Sequence, residues 1–461
     1  MLLEEKMRRN LTRGRRLMIA ALVAAVLAVV TACSDSGGVG GLENAEQDTS
    51  GGPVTLQYWT WFPPEATVKE LIAAYEKANP DITIELHQYA AGDYRQSAQL
   101  ALNSGEDIDI VGVQVAAMTK DVRETVRPVK EWAENLPDDW ESQLREEPLD
   151  QARAAAEDGE LYELPMGSMG SVVMYYNAAL LDELGIDPPT TAEELTAASK
   201  KIRAAKPSIT PAVFIGEPYW QLEMLWTIIG QTNPMLSDRV SSEGVDWTDP
   251  EIVQGLADYK AMFANGAFDT STLSLKAPRP VELFGSGKAA FLFDGSWRAA
   301  LLSADYRKQN KIAVKDVGAL PFPIVRDGGK PAVRTGAEGG LAIPKASTHV
   351  KEAADFIAWM TMGEGADLWG EQLLLEPAKK SFVLPDGVLA SPAAKAGYQA
   401  IQDVLQTPSS NRAPAGGADF NNVGGNGVLD VLNDYKSPKD AAAALQTEWT
   451  SGRYPHPGDD D

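Results

Sequence analysis

Three short segments place aromatic rings beside charged side chains, and their residue types and spacing suit a chemical task. The segments contain Trp59, Trp61 and Glu65; Glu217, Tyr219 and Trp220; and Asp294, Trp297 and Arg298. Each segment follows an apolar stretch that is typical of a β-strand. An aromatic face packs against C–H groups, whereas a carboxylate accepts hydrogen bonds from hydroxyl groups. The three segments therefore suit reversible binding of a polar molecule that has an apolar face.

A sugar is such a molecule. The C–H face of a pyranose ring lies on an aromatic ring, and its hydroxyl groups donate hydrogen bonds to carboxylates. A hydrogen bond to a charged group contributes about 1.5–3 kcal/mol, so a few of them suffice for micromolar affinity. In the alternative reading, the tryptophans belong to the core and the acids cap helices. Because the pattern recurs at three strand ends, we favour carbohydrate binding.

The first of these segments lies in a predicted α/β unit. Strands are predicted at 54–59, 82–86 and 108–113, and a helix between the first two carries apolar residues at i, i+3, i+4 and i+7 (Val68, Leu71, Ile72 and Tyr75). A second helix is predicted at 94–102. This alternation predicts a mostly parallel sheet covered by helices. Ligands bind beyond the carboxyl ends of such strands, where Trp59, Trp61 and Gln114 fall.

A second α/β unit is predicted after residue 165. It contains strands at 172–177, 213–215 and 289–293, and the last two lead into the Glu217 and Asp294 segments. Thr191 with Glu194 three residues later predicts a helix that opens with a capping box. A later helix is predicted from the amphipathic run that includes Phe356 and Met360. The expected fold class is therefore α/β, and a chain of this length is expected to divide into two lobes.

The N-terminal segment predicts export and lipidation. Five arginines precede an apolar run, Leu17 to Val30, and Cys33 follows as the only cysteine of the chain. This run would rise only about 21 Å as a helix, against roughly 30 Å of bilayer hydrocarbon, so it predicts a secretory signal rather than a permanent span. The string ending at Cys33 resembles a bacterial lipobox, although a plain signal peptide is the alternative. Residues 34–52 have the composition of a flexible tether.

Composition argues against several classes of protein. The net charge of −24 disfavours nucleic acid and anionic lipid headgroups. His87, His349 and His456 show no metal-ligand spacing, and one cysteine allows no disulfide. We therefore expect no metal and no cofactor. The chain contains no G-x-S-x-G elbow, P-loop or H-E-x-x-H motif. A glycosidase with paired carboxylates, or a structural or adhesion lipoprotein, remain as alternatives to a binding protein.

Beside the lipobox, a set of motifs follows in a fixed order: Val54–Trp59, Asn79–Ile82, Leu161–Pro165, Tyr175–Asn177, Asp187–Thr191, Ser286–Phe291, Asp294–Trp297 and Glu338–Lys345. In their order and spacing these motifs resemble those of extracellular solute-binding proteins of family 1, the maltose- and oligosaccharide-type receptors of ABC importers. The resemblance covers nearly the whole chain. It implies two α/β lobes of the type II periplasmic-binding-protein fold, joined by three crossover strands with a ligand cleft between them.

The resemblance also implies a domain plan. Crossings are expected near Leu164–Gly167, near Val333–Glu338 and beyond Trp369. The expected segments are a signal peptide at 1–32, a tether at 33–53, the first lobe at 54–165, the second lobe at 166–333, a return to the first lobe at 334–370, and a C-terminal helical segment at 371–461 that packs mainly on the second lobe.

Site residues follow from the same resemblance. In maltodextrin receptors a Glu-Pro-Tyr segment supplies an acid and a ring, which correspond to Glu217 and Tyr219, and a stacking tryptophan corresponds to Trp297. The matched segments add Tyr176, Glu338 and Gly339 to the expected site. The chain departs from the family at 59–65, which predicts a smaller or differently linked sugar. A non-sugar polar solute remains an alternative. The expected partners are a sugar, ABC permease subunits and the membrane through the lipid on Cys33, and the chain is expected to be a monomer.

Overall fold

The computed structural model describes residues 43–115, 117–407, 409–412 and 417–454. Cys33 and the apolar run before it lie outside the described residues, so the leader and its lipidation stay predictions. The internal contacts divide the chain into residues 1–42 and residues 43–461, and the described residues all belong to the second unit.

The described strands form two sheets of five and four strands. The strands are β1 (Val54–Thr60), β2 (Ile82–Gln88), β3 (Ile110–Val113), β4 (Leu164–Ser171), β5 (Val173–Asn177), β6 (Thr210–Val213), β7 (Ala289–Asp294), β8 (Val317–Pro321) and β9 (Arg334–Ala342). The prediction of an α/β fold is confirmed.

Helices cover both sheets. They are α1 (Glu65–Ala78), α2 (Ala91–Ser104), α3 (Thr119–Val122), α4 (Trp140–Gln143), α5 (Glu146–Ala156), α6 (Ala178–Leu184), α7 (Ala192–Ala205), α8 (Pro218–Gly230), α9 (Leu236–Ser242), α10 (Pro250–Ala264), α11 (Arg279–Gly285), α12 (Ala304–Gln309), α13 (Val350–Thr361), α14 (Glu364–Leu373), α15 (Pro392–Leu405), α16 (Gly417–Leu432) and α17 (Pro438–Trp449). Short 3₁₀ turns lie at Val129–Glu131, Ala133–Asn135, Thr270–Ser274 and Ser296–Leu302.

The first sheet has the strand order β2-β1-β3-β9-β4. Strands β1, β2 and β3 are parallel, as their alternation with helices predicts, and β9 runs antiparallel to β3 and β4. Helix α1 buries its predicted apolar stripe, including Val68, Leu71 and Tyr75. Burial of this stripe against the sheet stabilises the helix more than its intrinsic propensity does. The pattern-based prediction of these elements is confirmed.

The second sheet has the order β6-β7-β5-β8, in which only β6 and β7 pair in parallel. The capping box that opens α7 is present, with Thr191 and Glu194 exchanging hydrogen bonds between side chain and backbone. The short strand predicted at 213–215 instead ends at Val213. Residues 214–216 turn the chain, so Glu217 becomes the N-cap of α8 rather than the end of a strand.

The chain passes between the two sheets more than once. Strand β4 of the first sheet continues to Ser171, so the first passage lies at Val172, later than the predicted boundary at 165. The second passage lies between β8 and β9. A third lies between α14 and α15, because α15 packs on β8 of the second sheet. Residues 410–412 then run beside β9, where the Thr335 N–H donates to the Ser410 carbonyl (3.2 Å) and the Arg412 N–H to the Thr335 carbonyl (2.8 Å).

Part of the predicted tether is docked on the folded domain. The Ala45 N–H donates to the Lys345 carbonyl (2.8 Å), and the Asp48 N–H donates to the Thr348 carbonyl (2.9 Å). The Gln47 Oε1 atom accepts the Val350 N–H, the first amide of α13, at 2.9 Å. The expectation of a free tether through residue 53 is therefore wrong for this segment. Its composition is polar, but backbone groups bind it to the 345–350 segment, and composition does not reveal such pairing.

Candidate binding site

The end of β7 carries a tight turn that is organised by Asp294. This carboxylate is buried, with 1% of the residue exposed. Its Oδ1 atom accepts the Gly295 N–H (2.8 Å), and its Oδ2 atom accepts the Arg298 Nε–H (3.1 Å). Burial lowers the pKa of the Arg298 guanidinium, but the Asp294 charge and hydrogen bond outweigh burial and raise it overall. Asp294 therefore holds the turn and Arg298 in place, and the prediction that it contacts a ligand is not supported by its position.

Trp297 lies directly on the backbone of Gly295. A Cβ atom added at Gly295 would lie 2.3–2.4 Å from three consecutive atoms of the indole six-membered ring. Such near-equal distances place the added atom over the ring face, so only glycine allows this approach. The ring is half-buried, packs against both large apolar clusters of the protein, and meets Trp220 edge-on at 5.9 Å. Trp297 thus lies beyond the end of β7, where the two apolar clusters adjoin.

The start of α8 places Glu217 and Tyr219 beside this turn. Glu217 is the N-cap, Pro218 follows at the first helical position, and the Glu217 Oε2 atom accepts the Ala277 N–H (3.3 Å). Tyr219 is 40% exposed. Burial and the charges of Glu217 and Asp294 raise its pKa to about 12, so the phenol stays protonated and can donate a hydrogen bond. These groups offer a ring, a hydroxyl donor and a carboxylate acceptor at one place.

Two further predicted site residues of the second sheet are in the core. Trp220 is 1% exposed and Tyr176 is 6% exposed. The Tyr176 ring lies against Gly318, where a Cβ atom would come within 2.2 Å of the ring. Neither ring faces solvent: Trp220 meets Trp297 edge-on, whereas Tyr176 pairs with Phe291, three residues before Asp294 on β7. For Trp220 and Tyr176, the structure agrees with the alternative in which the aromatic residues belong to the core.

The segment at the end of β1 does not form the predicted ring-and-acid group. Trp59 is buried and stacks on His87 (5.2 Å) and Tyr89 (5.1 Å). Glu65 lies on the exposed surface of α1 and pairs with Lys69 at 2.6 Å. Trp61 is half-buried, with its ring 4.9 Å from that of Tyr94. Trp59 and Glu65 do not form one group, because β1 ends at Thr60 and Glu65 lies on the exposed surface of α1.

The remaining predicted residues lie near the first sheet. Gln114 follows β3, is half-buried, and its carbonyl accepts the Met118 N–H at 2.8 Å. Gly339 lies in β9, where a Cβ atom would meet the Phe62 ring at 3.4 Å. Glu338 is also in β9, and its side chain is outside what the structure describes. Gln114 and Gly339 therefore lie at the first sheet, whereas Trp297 and Tyr219 follow strands of the second.

The sequence patterns did not predict a buried ionic group on α8. Glu223 on α8 accepts hydrogen bonds from Ser171 of β4 (2.6 Å) and Arg334 of β9 (2.7 Å), and Arg412 lies 3.8 Å away. Burial raises the pKa of Glu223, but the two arginines and the hydrogen bonds outweigh burial and lower it overall. The available signal was an acid inside the apolar helix Pro218–Gly230, since a buried carboxylate requires partners.

Arg412 also contacts the aromatic site. Its guanidinium carbon lies over the Trp297 ring, 4.7 Å from the centroid. A guanidinium within about 6 Å of an indole centroid is attracted by the ring quadrupole. No local pattern in the sequence connects residue 412 with residue 297. The contact arises because the 410–412 segment runs beside β9.

This arrangement suits binding rather than covalent catalysis. Within residues 43–115, 117–407, 409–412 and 417–454, no three His, Cys, Asp or Glu side chains are grouped so that they could hold a metal ion. Over the same residues, no helix is both long and apolar enough to span a bilayer. Two sheets linked by several passages of the chain, with polar and aromatic groups at the strand ends, define a two-lobed α/β binding protein.

Comparisons with known proteins agree with this class. The chain belongs to the bacterial extracellular solute-binding protein family, whose model matches residues 60–366. It is 25% identical over 398 residues to the melibiose/raffinose/stachyose-binding protein MelE of Bacillus subtilis, covering 83% of this chain and 85% of MelE. It is 23% identical over 322 residues to the multiple sugar-binding protein of Streptococcus mutans, covering 67% and 71% of the two chains.

Solved structures show the same fold. A chain from work on xylan utilization by Caldanaerobius polysaccharolyticus superposes with a TM-score of 0.71 at 21% identity, covering 86% of this chain and 100% of that one. Maltose-bound MalE3 of T. maritima superposes with a TM-score of 0.68 at 19% identity, covering 86% and 99%. The resemblance identified from the sequence motifs is confirmed, and the relatives are binding proteins rather than enzymes.

Proposed function

We propose that this chain is an extracytoplasmic receptor that binds a carbohydrate between its two lobes and delivers it to an ABC importer. The observation that carries the proposal is the group of polar and aromatic side chains at the end of β7 and the start of α8. Trp220 of α8 meets both the half-buried indole of Trp297 and the ring of Tyr219, and Tyr219 is a protonated phenol beside the carboxylate of Glu217. This group matches the apolar face and the hydroxyl groups of a sugar. The names of the Bacillus and Streptococcus relatives, which bind melibiose-type and multiple sugars, support the same ligand class.

The exposure of each predicted site residue indicates whether it contacts the ligand or supports the site. Direct contacts are assigned to Glu217, Tyr219, Trp297 and Arg298, because these side chains are exposed or half-buried. Trp61, Gln114, Glu338 and Gly339 are proposed for the facing surface on the first sheet. The buried side chains instead form the scaffold of the site, and these are Trp59, Tyr176, Trp220 and Asp294.

A ligand screen tests the proposal. Melibiose, raffinose, stachyose, maltose and their monosaccharides are added to the purified domain, and the melting temperature and the calorimetric Kd are measured. A sugar present at 100 times its Kd stabilises the fold by about 2.7 kcal/mol, which is readily seen as a thermal shift. Recovery of the intact sugar separates binding from hydrolysis. The proposal fails if no sugar of the panel binds, or if the sugar is cleaved.

The proposed anchor is tested separately. We propose that Cys33 is lipidated and that the exported protein is held at the membrane by this lipid. Cys33→Ser should move the processed protein from the membrane fraction to the soluble fraction, or stall its processing, whereas Ser34→Ala should leave it at the membrane. Membrane retention of a processed Cys33→Ser protein would contradict the anchor. Sugar affinity is expected to be equal in both variants, since residues 43–454 contain the proposed site.

A further inference from the structure

The face of Trp297 on which a sugar would stack is already in contact with another side chain. One face lies against Gly295, where even a methyl group would not fit. The Arg412 guanidinium lies over the ring at 4.7 Å from the centroid. Since the Gly295 backbone occupies one face, the opposite face is the one with room for the guanidinium. A pyranose therefore reaches a flat face of Trp297 only when Arg412 moves.

Arg412 also lies close to the buried carboxylate of Glu223. Its Nε atom is 3.8 Å from the Glu223 Oε2 atom, slightly beyond hydrogen-bond distance. Glu223 is buried and charged, and Ser171 and Arg334 already bind it. The two side chains already form an ion pair at this distance, and a small rotation of the Arg412 side chain would shorten it to hydrogen-bond distance. The guanidinium that leaves the ring would thus keep a charged partner, which lowers the cost of displacement.

We propose that Arg412 covers the stacking face of Trp297 in the ligand-free protein and that a bound sugar displaces it toward Glu223. The inference rests on the proposed function, because it takes Trp297 as the sugar platform. It adds an intramolecular occupant that competes with the ligand. Sugar binding would thereby also change the surroundings of Glu223, which binds Ser171 of β4 and Arg334 of β9, two residues next to the passages between the lobes.

The test compares variants of Arg412 in the whole exported domain, with raffinose as the first probe and the tightest sugar of the panel as the second. A guanidinium–indole contact at a partly exposed site predicts that Arg412→Ala binds sugar about two- to five-fold more tightly than wild type. Arg412→Lys keeps a cation over the ring and should stay within about two-fold of wild type. Arg453→Ala is the matched control, because Arg453 also lies over a ring, that of Tyr454, but is exposed and pairs with Glu448 rather than Glu223. Its affinity should equal that of wild type.

A second readout needs no sugar. The indole ¹⁵N–¹H resonance of Trp297, identified by its loss in Trp297→Phe, should shift in ligand-free Arg412→Ala and stay in place in Arg453→Ala. Weaker sugar binding by Arg412→Ala would overturn the proposal, because it would make Arg412 a ligand contact. Unchanged affinity would overturn it too, since the covered face would not be the one that sugar uses. If wild type binds no sugar of the panel, the proposed function and the displacement both fail. In that case the indole resonance alone decides whether Arg412 covers Trp297.

Discussion

Replacing Trp297 by alanine separates the site from the scaffold that carries it. The ring is half-buried, so the variant should lose both sugar contacts and packing against the two apolar clusters. A stacking ring at the centre of a site has the magnitude of a binding hot spot, about 2–4 kcal/mol, which corresponds to about 30- to 1000-fold weaker affinity. A fully buried tryptophan would cost about 3–5 kcal/mol of folding free energy. Since Trp297 is only half-buried, about half of that cost is expected, roughly 2 kcal/mol.

The matched variant is Trp220→Ala. Trp220 is 1% exposed and touches Trp297 edge-on, so its removal should cost the full 3–5 kcal/mol of a buried ring, with the smaller effect on affinity. Denaturant unfolding of the ligand-free proteins gives the first quantity, and calorimetric titration under conditions where each variant is folded gives the second. The two variants should therefore rank in opposite order in the two assays.

One pattern of results would refute this reasoning. If Trp297→Ala unfolds far more easily but binds sugar as tightly as wild type once folded, Trp297 belongs to the scaffold and the sugar stacks elsewhere. Trp297→Phe sharpens the comparison, because a phenyl ring can keep the contact over Gly295 with less area. Its affinity is expected between those of wild type and Trp297→Ala.

Three further predictions follow from the fold. Burial raises the pKa of Glu163 to about 7, so between about pH 4.5 and 7 the native state holds a proton that the unfolded chain has lost. The contribution of Glu163 to the free energy of unfolding is therefore full below pH 4.5 and is lost, by about 3 kcal/mol, as the pH rises to 7. Urea unfolding across this range should show the fall in wild type and a flatter profile in Glu163→Gln, and equal profiles would contradict the assignment. Gln47→Ala removes the acceptor of the Val350 N–H and should lower the free energy of unfolding by about 0.5–1.5 kcal/mol; an unchanged value would mean that the docked segment contributes nothing there. Small-angle scattering should show a smaller radius of gyration with saturating sugar, because a ligand held between the lobes favours the closed state by its differential affinity. A profile unchanged by a sugar that demonstrably binds would count against closure.

Much of the fold could be predicted because its signals are local. The alternation in β1 and the apolar stripe of α1 each report which face is buried, and periodicity encodes that face directly. The capping box at Thr191 is equally local, since its two partners are three residues apart. The change of sheet after Ser171 was placed too early, because a strand that crosses between lobes carries the same apolar pattern on both sides of the crossing.

The site was predicted less well, for a physical reason. Trp59, Trp220 and Trp297 all follow or adjoin strand ends, and the sequence treats them alike, but only Trp297 keeps a half-exposed ring. Burial of a ring at a strand end depends on what packs over it from elsewhere. Trp59 is covered by His87 of β2 and by Tyr89 just after it, and this contact is a property of the assembled sheet.

The sequence by itself determined the family, the two-sheet architecture and the turn that presents Trp297. Gly295 permits this turn, because no Cβ atom fits under the Trp297 ring. This requirement involves only the four residues Asp294–Trp297, so it is visible in the local sequence. Only the tertiary structure decided what faces the ring. Arg412 comes to Trp297 from a segment beside β9 and pairs with Glu223 of α8, and this attraction acts over a few ångströms of space whatever the separation of the residues along the chain. Local pattern fixes the direction of a side chain, and long-range packing fixes its partners.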